Sequence, residues 1–217
     1  MRRLAKWLLA LPPLALLGLL WSTPALGAYL CPSCYGLERV AEGIYAEPSA
    51  PDLAPMIAKA RARVAAYYGA FDHQPVLLIC QSDACHARIG SGGARAVTYG
   101  TRFIYVSPRG LQPVFLAHEF SHVELHARLG VWGMLIGAIP AWFDEGMAVL
   151  VSGDQRYLNG QNQAENCEAV RTATLPSSAL DWRRRAGTHD QSLYHDATCA
   201  AQARLALTGG LSAAMQF

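Results

Sequence analysis

The sequence has little excess charge of either sign, with 18 Lys and Arg residues against 16 Asp and Glu residues. Three of the basic residues and none of the acidic ones lie in residues 1–28, so the rest of the chain has a formal charge of −1. A nucleic-acid-binding protein needs a positively charged face, and the run Arg183-Arg184-Arg185 is too short to form one. We therefore expect no nucleic-acid partner.

The sequence also lacks internal repeats and, beyond its N-terminus, low-complexity segments. With 217 residues and 52% hydrophobic content, the chain is long and apolar enough to bury one core. It is short for two independent domains. We predict a single domain over residues 29–217.

No apolar run is long enough for a comfortable membrane span. The longest run, residues 7–21, is interrupted by Pro12-Pro13, follows three basic residues and precedes the small-residue stretch 23–28. This order is typical of a secretory signal. We predict a cleaved signal peptide over residues 1–28 and a periplasmic or secreted protein. The alternative is a retained segment that associates the protein with the inner membrane.

The six cysteines have an even count, as expected for disulfides in a protein that leaves the cytoplasm. Spacing favours two pairs, and the third follows by elimination: Cys31 with Cys34, Cys80 with Cys85, and Cys167 with Cys199. The Cys-x-x-Cys segment at residues 31–34 could instead be a redox motif or half of a zinc site. No predicted strand precedes it and no second pair accompanies it, so we favour a structural disulfide.

Hydrophobic periodicity predicts an α+β fold in which a small sheet precedes an active-site helix and a mainly helical C-terminal part. The short β-rich runs have turn residues at their ends, and the helices begin or end at Pro and Gly. Predicted helices are Pro55–Tyr68, Pro113–Leu129, Pro140–Val151 and Ser192–Leu207, and predicted strands are Pro75–Cys80, Ala94–Tyr99 and Arg102–Val106.

The helix after Pro113 carries His118-Glu119-Phe120-Ser121-His122. Two histidines four residues apart lie on one helix face, so both imidazoles can reach one ion. A hydrolytic zinc site has three protein ligands and a fourth position for water. Glu145 on the next helix is the best candidate for the third ligand, whereas we expect Asp144 to point to a different face.

The remaining roles follow from where the other polar groups lie. Glu119 is turned by about a hundred degrees from His118 around the helix, which suits a general base that accepts a proton from water without binding zinc. A tetrahedral oxyanion needs a further donor. Tyr157, Tyr194 and His195 are candidates, and we select Tyr194.

These motifs resemble those of the gluzincin metallopeptidases, which include thermolysin and the zinc aminopeptidases. The segment Trp142–Ala148 is similar to the Trp-Leu-Asn-Glu-Gly-Phe-Ala stretch of the alanyl aminopeptidases, which implies Glu145 as third zinc ligand. Ser192–His195 resembles the segment that supplies a tyrosine to the transition state in this group. The resemblance implies a zincin-like fold and a peptide or protein substrate.

One departure concerns the substrate's amino terminus. Aminopeptidases of this group have a Gly-x-Met-Glu-Asn segment before the zinc helix, whereas residues 92–96 lack that glutamate. A small bacterial peptidase that shares only the catalytic core therefore fits better than an aminopeptidase.

Other readings remain open. The site could belong to a catalytically silent zinc domain that binds a partner or organises an envelope complex, and Cys31 with Cys34 could serve a thiol oxidoreductase.

We expect Trp142, Phe143, Met147 and Val151 to belong to the hydrophobic core. The apolar segment 131–139 could touch a membrane or an apolar substrate, but we expect it to be buried against the zinc helices.

Overall fold

The computed structural model describes residues 23–217 except Ser49, Ser91, Ala169, Arg171, His189 and Asp190. Most of the predicted signal peptide therefore lies outside the described residues. In chain order, the helices and strands are α1 Pro24–Leu30, β1 Glu38–Ala41, β2 Ile44–Ala46, α2 Ala54–Tyr68, β3 Val76–Ile79, α3 Asp83–Ile89, β4 Ala96–Tyr99, β5 Phe103–Val106, α4 Pro113–Ile136, α5 Ala141–Ser152, α6 Ala179–Ala186, α7 Gln191–Thr208 and α8 Leu211–Ala214.

The five strands form one mixed sheet in the order β1-β2-β3-β5-β4. The pairs β2–β3 and β3–β5 are parallel, whereas β1–β2 and β4–β5 are antiparallel hairpins. The central strands β3 and β5 are almost wholly buried. The protein therefore has the α+β class that the sequence predicts.

Side chains alternate between the two faces of the central strands. Leu77, Ile79 and Val106 belong to a large core shared with α2, α4, α5 and α7. Leu78 and Tyr105 face the other way, into a smaller core with α1 and α3. The sheet is thus covered on both faces, and the helices with the predicted metal ligands lie on the face with the larger core.

The predicted helices and strands are confirmed to within one or two residues at most ends. The sequence did not predict β1 and β2 as strands, because β1 is an exposed edge strand without an alternating apolar pattern. It also did not predict α3 and α6, which have seven and eight residues and are too short for helical periodicity to be clear.

Residues 24–28 were assigned by sequence to the predicted signal peptide, yet they form most of α1. Ala25 and Ala28 are buried in the smaller core. The end of the targeting segment stays a prediction, but this short stretch has a defined place in the fold.

All six cysteines form the predicted pairs, Cys31–Cys34, Cys80–Cys85 and Cys167–Cys199. Three disulfides indicate an oxidising, exported compartment. Among the described residues, none of the helices has the length and apolar character needed to cross a bilayer.

The helix α4 is broken at Gly130, whose φ of 67° and ψ of 174° are not helical. The sequence correctly predicts the end of the first part there, but the chain resumes as helix over residues 131–136. The predicted burial of segment 131–139 is wrong for most of it, because Trp132 is 74% exposed and Leu135 72%. The change of direction at Gly130 leads the chain away from the core, and only Ile139 is buried again.

Candidate metal centre

His118 and His122 project from the same face of α4 with their ring centroids 4.9 Å apart. Glu145 on α5 approaches both: its Oε2 lies 3.3 Å from His118 Nε2 and 3.9 Å from His122 Nε2. The structure therefore brings together the three residues that the sequence selects as ligands. One ligand atom from each lies within 4.8 Å of the others.

The spacing of these atoms can be compared with a zinc site. Ligands about 2.0–2.1 Å from a tetrahedral ion are about 3.3 Å from one another. The two separations from Glu145 Oε2, 3.3 and 3.9 Å, are close to this value. The residues thus fit a metal ion with only small side-chain adjustments.

The position of α5 is determined by close packing on both sides of Glu145. The first amides of α5 donate outside the helix, Ala141 N to Ser177 O and Trp142 N to Pro176 O. Next to Glu145, a Cβ on Gly146 would lie 2.2 Å from the backbone oxygen of Ala197 on α7. Only glycine allows this approach, which keeps Glu145 over α4 and brings α7 beneath the site.

Asp144 bridges two histidines of α4. Its Oδ1 lies 2.8 Å from His122 Nδ1, and its Oδ2 lies 3.0 Å from His126 Nε2. With Nδ1 donating to Asp144, Nε2 is the His122 nitrogen that faces Glu145. The sequence predicts that Asp144 points to a different face from Glu145 and is not a metal ligand. In the structure this different direction lets Asp144 support His122 from behind.

The contact between His122 and Asp144 shifts the pKa values of both groups. Burial alone would lower the pKa of His122, but Asp144, with help from Glu145 and Glu119, raises that pKa to about 10. Burial would likewise raise the pKa of Asp144, whereas His122 and His126 hold it well below its usual range. Three carboxylates therefore act on His122, an arrangement that stabilises positive charge at this imidazole, whether carried by a proton or by a metal ion.

Glu119 is buried on α4, and its carboxylate is oriented by β4. The hydroxyl of Thr98 donates to Glu119 Oε2 at 2.7 Å and lies 3.1 Å from the Glu119 backbone oxygen. Glu119 is not in the group formed by the three ligands. Sequence reasoning missed Thr98, because a single hydroxyl in a strand that precedes α4 gives no sign that it contacts Glu119.

Tyr194 on α7 lies beside the site, with its ring centroid 6.4 Å from that of His118. It stacks on Tyr157 and meets the edge of Trp182. Burial, and then the charge of Glu145, raise the pKa of Tyr194 far above its ordinary value. The phenol is therefore neutral and able to donate its proton in a hydrogen bond.

The third oxyanion candidate, His195, is engaged elsewhere. Its Nε2 lies 2.7 Å from the backbone oxygen of Glu165 and 3.8 Å from the Sγ of Cys199. Cys167, His195 and Cys199 also form a cluster with metal-binding residue types, but the disulfide occupies both sulfurs. Of the three candidates, Tyr157 and Tyr194 lie together near the predicted ligands.

Two arginines pack against Phe115 in the first turn of α4. The guanidinium groups of Arg95 and Arg156 lie 5.0 and 4.9 Å from the ring centroid of Phe115, one turn before His118. Arg156 Nε also donates to both oxygens of buried Asp154, at 2.9 and 3.0 Å. Neither arginine was singled out from the sequence.

The imidazoles of His118 and His122 come together with the carboxylate of Glu145. The buried carboxylate of Glu119, which contacts none of these three groups, and the neutral phenol of Tyr194 lie beside them. These groups can bind a metal ion and move a proton beside it. A comparison of the chain with protein-family models, with curated proteins and with solved structures found no match.

Proposed function

We propose that this chain is a zinc metallohydrolase that cleaves peptide bonds, with His118, His122 and Glu145 as the zinc ligands. The observation that carries the proposal is the convergence of these three side chains from two helices, with Glu145 Oε2 within 3.3 and 3.9 Å of the two imidazole nitrogens. The buried Glu119 completes the set of groups that hydrolysis requires.

Zinc is the metal that best fits this donor set. Two imidazole nitrogens and one carboxylate suit a borderline ion that accepts nitrogen and oxygen ligands, whereas calcium and magnesium prefer oxygen alone. Three protein ligands leave a coordination position for water, as in catalytic rather than structural zinc sites.

When bound, zinc would acidify a water and polarise the carbonyl group of the scissile bond. Glu119 accepts a proton from that water and returns it to the nitrogen of the leaving amine, so that one water molecule is added across the peptide bond. Thr98 keeps the Glu119 carboxylate oriented through its 2.7 Å hydrogen bond.

The remaining groups act on orientation and on developing charge. Asp144 accepts a hydrogen bond from His122 Nδ1, which leaves Nε2 as the nitrogen that would bind the ion. The neutral phenol of Tyr194 is our candidate donor to the carbonyl oxygen as negative charge builds there.

The alternative, a catalytically silent zinc domain with a binding or envelope-organising role, would need the three ligands but not Glu119. A carboxylate that is only 7% exposed loses solvation that one hydroxyl donor does not fully replace. The presence of this buried carboxylate favours an active site, because a domain that only binds a partner gains nothing from the free-energy cost of burying it.

The test combines metal analysis with hydrolysis of a peptide library. The purified protein should contain one zinc ion per chain, and a chelator should remove both zinc and activity. Glu119→Gln should keep the zinc and lose hydrolysis by about a thousandfold, a typical contribution of general-base catalysis.

Glu124→Gln is the matched control for Glu119→Gln, because Glu124 is another buried glutamate of α4 that pairs with Arg128 rather than facing the ligands. It should retain both zinc and hydrolysis. Zinc binding without hydrolysis of any library peptide would favour the silent domain, whereas hydrolysis by Glu119→Gln at the parent rate would contradict the mechanism.

A further inference from the structure

The part of α4 that follows Gly130 forms a short apolar projection, which we call the spur (residues 131–136). Its exposed side chains are Val131, Trp132, Leu135 and Ile136. Their spacing puts them on one side of the helix. On the other side, Gly133 approaches Leu129 and Met134 lies beside Gly100 of the β4–β5 turn, so the spur is supported by the body of the protein.

This concentration of apolar surface is particular to the spur. Other exposed large hydrophobic side chains of the described residues are separated from one another along the chain: Leu30, Val40, Tyr67, Leu180, Leu207 and Phe217. Single exposed apolar residues are ordinary, but a cluster that includes tryptophan marks a contact surface.

The chain segment that contains the spur carries no negative charge. Between Glu124 and Asp144 the sequence has no acidic residue. Arg102, in the neighbouring β4–β5 turn, is exposed. Burial raises the pKa of Tyr99 and the guanidinium of Arg183 opposes that rise, so Arg183 also lies near this hairpin. An apolar tip bordered by arginines complements an anionic surface.

We propose that the spur inserts into the interfacial region of an anionic phospholipid bilayer and holds the exported protein at a membrane surface. Tryptophan with aliphatic neighbours is the composition that favours the boundary between headgroups and acyl chains. Neighbouring arginines would pair with lipid phosphates. The disulfides indicate a compartment in which such surfaces are present.

A second copy of the chain fits the spur less well. A stable dimer interface needs about 20 residues from each partner, whereas the spur offers six, and two-fold pairing would bring like charges of its arginine border together. Binding to a lipid surface requires only that the apolar side chains of the spur enter the bilayer and that the neighbouring arginines face anionic headgroups.

The smaller core places α1 beside the same hairpin. Tyr29 stacks on Phe103 at 4.5 Å, and Phe103 on Tyr99 at 4.3 Å. The apolar run of residues 7–21 directly precedes α1 in sequence. Because stable membrane attachment generally takes two signals, this run and the spur would act together where the run is retained, and the spur alone would bind reversibly where it is cleaved.

Trp132 provides a direct test. Of the described tryptophans, Trp142 and Trp182 are buried, so the difference in emission between the parent and Trp132→Phe reports on the spur, whatever becomes of Trp7 and Trp21. The protein is expressed as the full chain, purified as exported, and mixed with phosphatidylglycerol vesicles whose acyl chains are brominated near the headgroup. The Trp132 emission should shift to the blue and be quenched, and the effect should weaken with phosphatidylcholine alone.

A second measurement uses vesicle sedimentation of the exported form. Where processing has removed the apolar run, the double change Trp132→Glu with Leu135→Glu should lower the partition coefficient by about tenfold or more. Leu207→Glu is the matched control, because Leu207 is 88% exposed but isolated on α7. It should leave partitioning unchanged.

Several outcomes would overturn the proposal. Unquenched Trp132 emission in brominated anionic vesicles does so directly, whether or not the N-terminal segment is retained. If emission is unquenched and the parent sediments as a dimer that Trp132→Glu dissociates, the spur is an interface between copies. If emission is unquenched and the same change alters peptide hydrolysis without lipid, the spur is a substrate surface. These tests do not depend on the proposed peptidase activity.

Discussion

The two parts of α4, before and after Gly130, reverse the usual relation between polarity and burial. The first part buries Glu119, Ser121, His122 and Glu124. The second part exposes most of its apolar side chains, as the spur does with Trp132. Besides apolar residues such as Leu116 and Phe120, α4 therefore buries polar residues before its break and exposes apolar residues after it, whereas hydropathy alone would assign the polar residues to the surface and the apolar ones to the core.

The buried polar groups of the first part are tolerated because each has a partner. Ser121 Oγ lies 2.9 Å from the hydroxyl of Tyr68, and Glu124 pairs with Arg128. His122 pairs with Asp144 and Glu119 accepts from Thr98. The exposed apolar groups of the spur have no such compensation in the described chain. We therefore propose different purposes for the two parts: the first holds the candidate metal site, and the second would meet a membrane surface.

The largest expected effect comes from removing a ligand in the first part of α4. His122→Ala should lower zinc affinity by more than about a hundredfold, because it removes a donor and leaves buried Asp144 without its closest partner. Zinc retention after dialysis against a chelator measures it. His73→Ala, which alters a partly exposed histidine that pairs with Glu124 and not with the three candidate ligands, is the control and should bind zinc normally. Equal zinc retention in both variants would show that this face of α4 is not a metal site.

Asp144→Asn should have the next largest effect. Loss of the carboxylate behind His122 is expected to weaken zinc binding by about 10- to 100-fold, the usual consequence of removing a carboxylate that orients a metal-bound histidine. Competition with a chromophoric chelator measures the affinity. Asp181→Asn, which alters an exposed carboxylate on α6, should leave it unchanged. An unaltered affinity in Asp144→Asn would mean that the 2.8 Å contact is only structural.

The junction between the two parts predicts a smaller effect. Gly130→Ala forces a side chain into a conformation of φ 67° and ψ 174°, which should lower the free energy of unfolding by about 1–3 kcal/mol. Urea denaturation measures the change. Gly160→Ala is the control, since Gly160 has open space around its Cβ position and no positive φ. If both variants were equally stable, the break at Gly130 would not be a conformation that requires glycine.

The smallest effect on stability is expected in the spur. Trp132→Ser should change the free energy of unfolding by no more than about 0.5 kcal/mol, because the side chain is exposed and its loss opens no cavity. Leu125→Ala, at a fully buried position in the first part, should cost about 2–5 kcal/mol. Thermal or urea unfolding of the two variants compares them. A large loss in Trp132→Ser would mean that the Trp132 side chain itself packs against the body of the protein.

Much of the site could be predicted because it depends on local spacing. His118, Glu119 and His122 are placed by the helical repeat, and Glu145 by the helix that follows. The functions of Thr98 and Asp144 could not be predicted in the same way. Thr98 reaches Glu119 only because β4 is the edge strand next to α4, and the direction of Asp144 depends on how α5 crosses the first helix.

Burial was the other property that escaped prediction. An apolar segment after a zinc helix is ordinarily expected to cover it, but the backbone at Gly130 turns residues 131–136 outward. Conversely, residues 24–28 looked like the end of a targeting segment, yet they fill part of the smaller core between the sheet and α3. In both cases hydropathy is known from the sequence, whereas position relative to the core depends on the path of the chain.

The sequence by itself determined the local features of this protein: the longer helices and the central strands, the histidine pair on one face, and the cysteine pairs that could close. Periodicity and short-range spacing are sufficient for these because they involve residues close together along the chain. Only the tertiary structure decided that Asp144 supports His122 from behind, that Thr98 orients Glu119, and which apolar side chains remain outside. Those outcomes depend on contacts between distant segments, such as Gly146 against Ala197, and no local pattern encodes them.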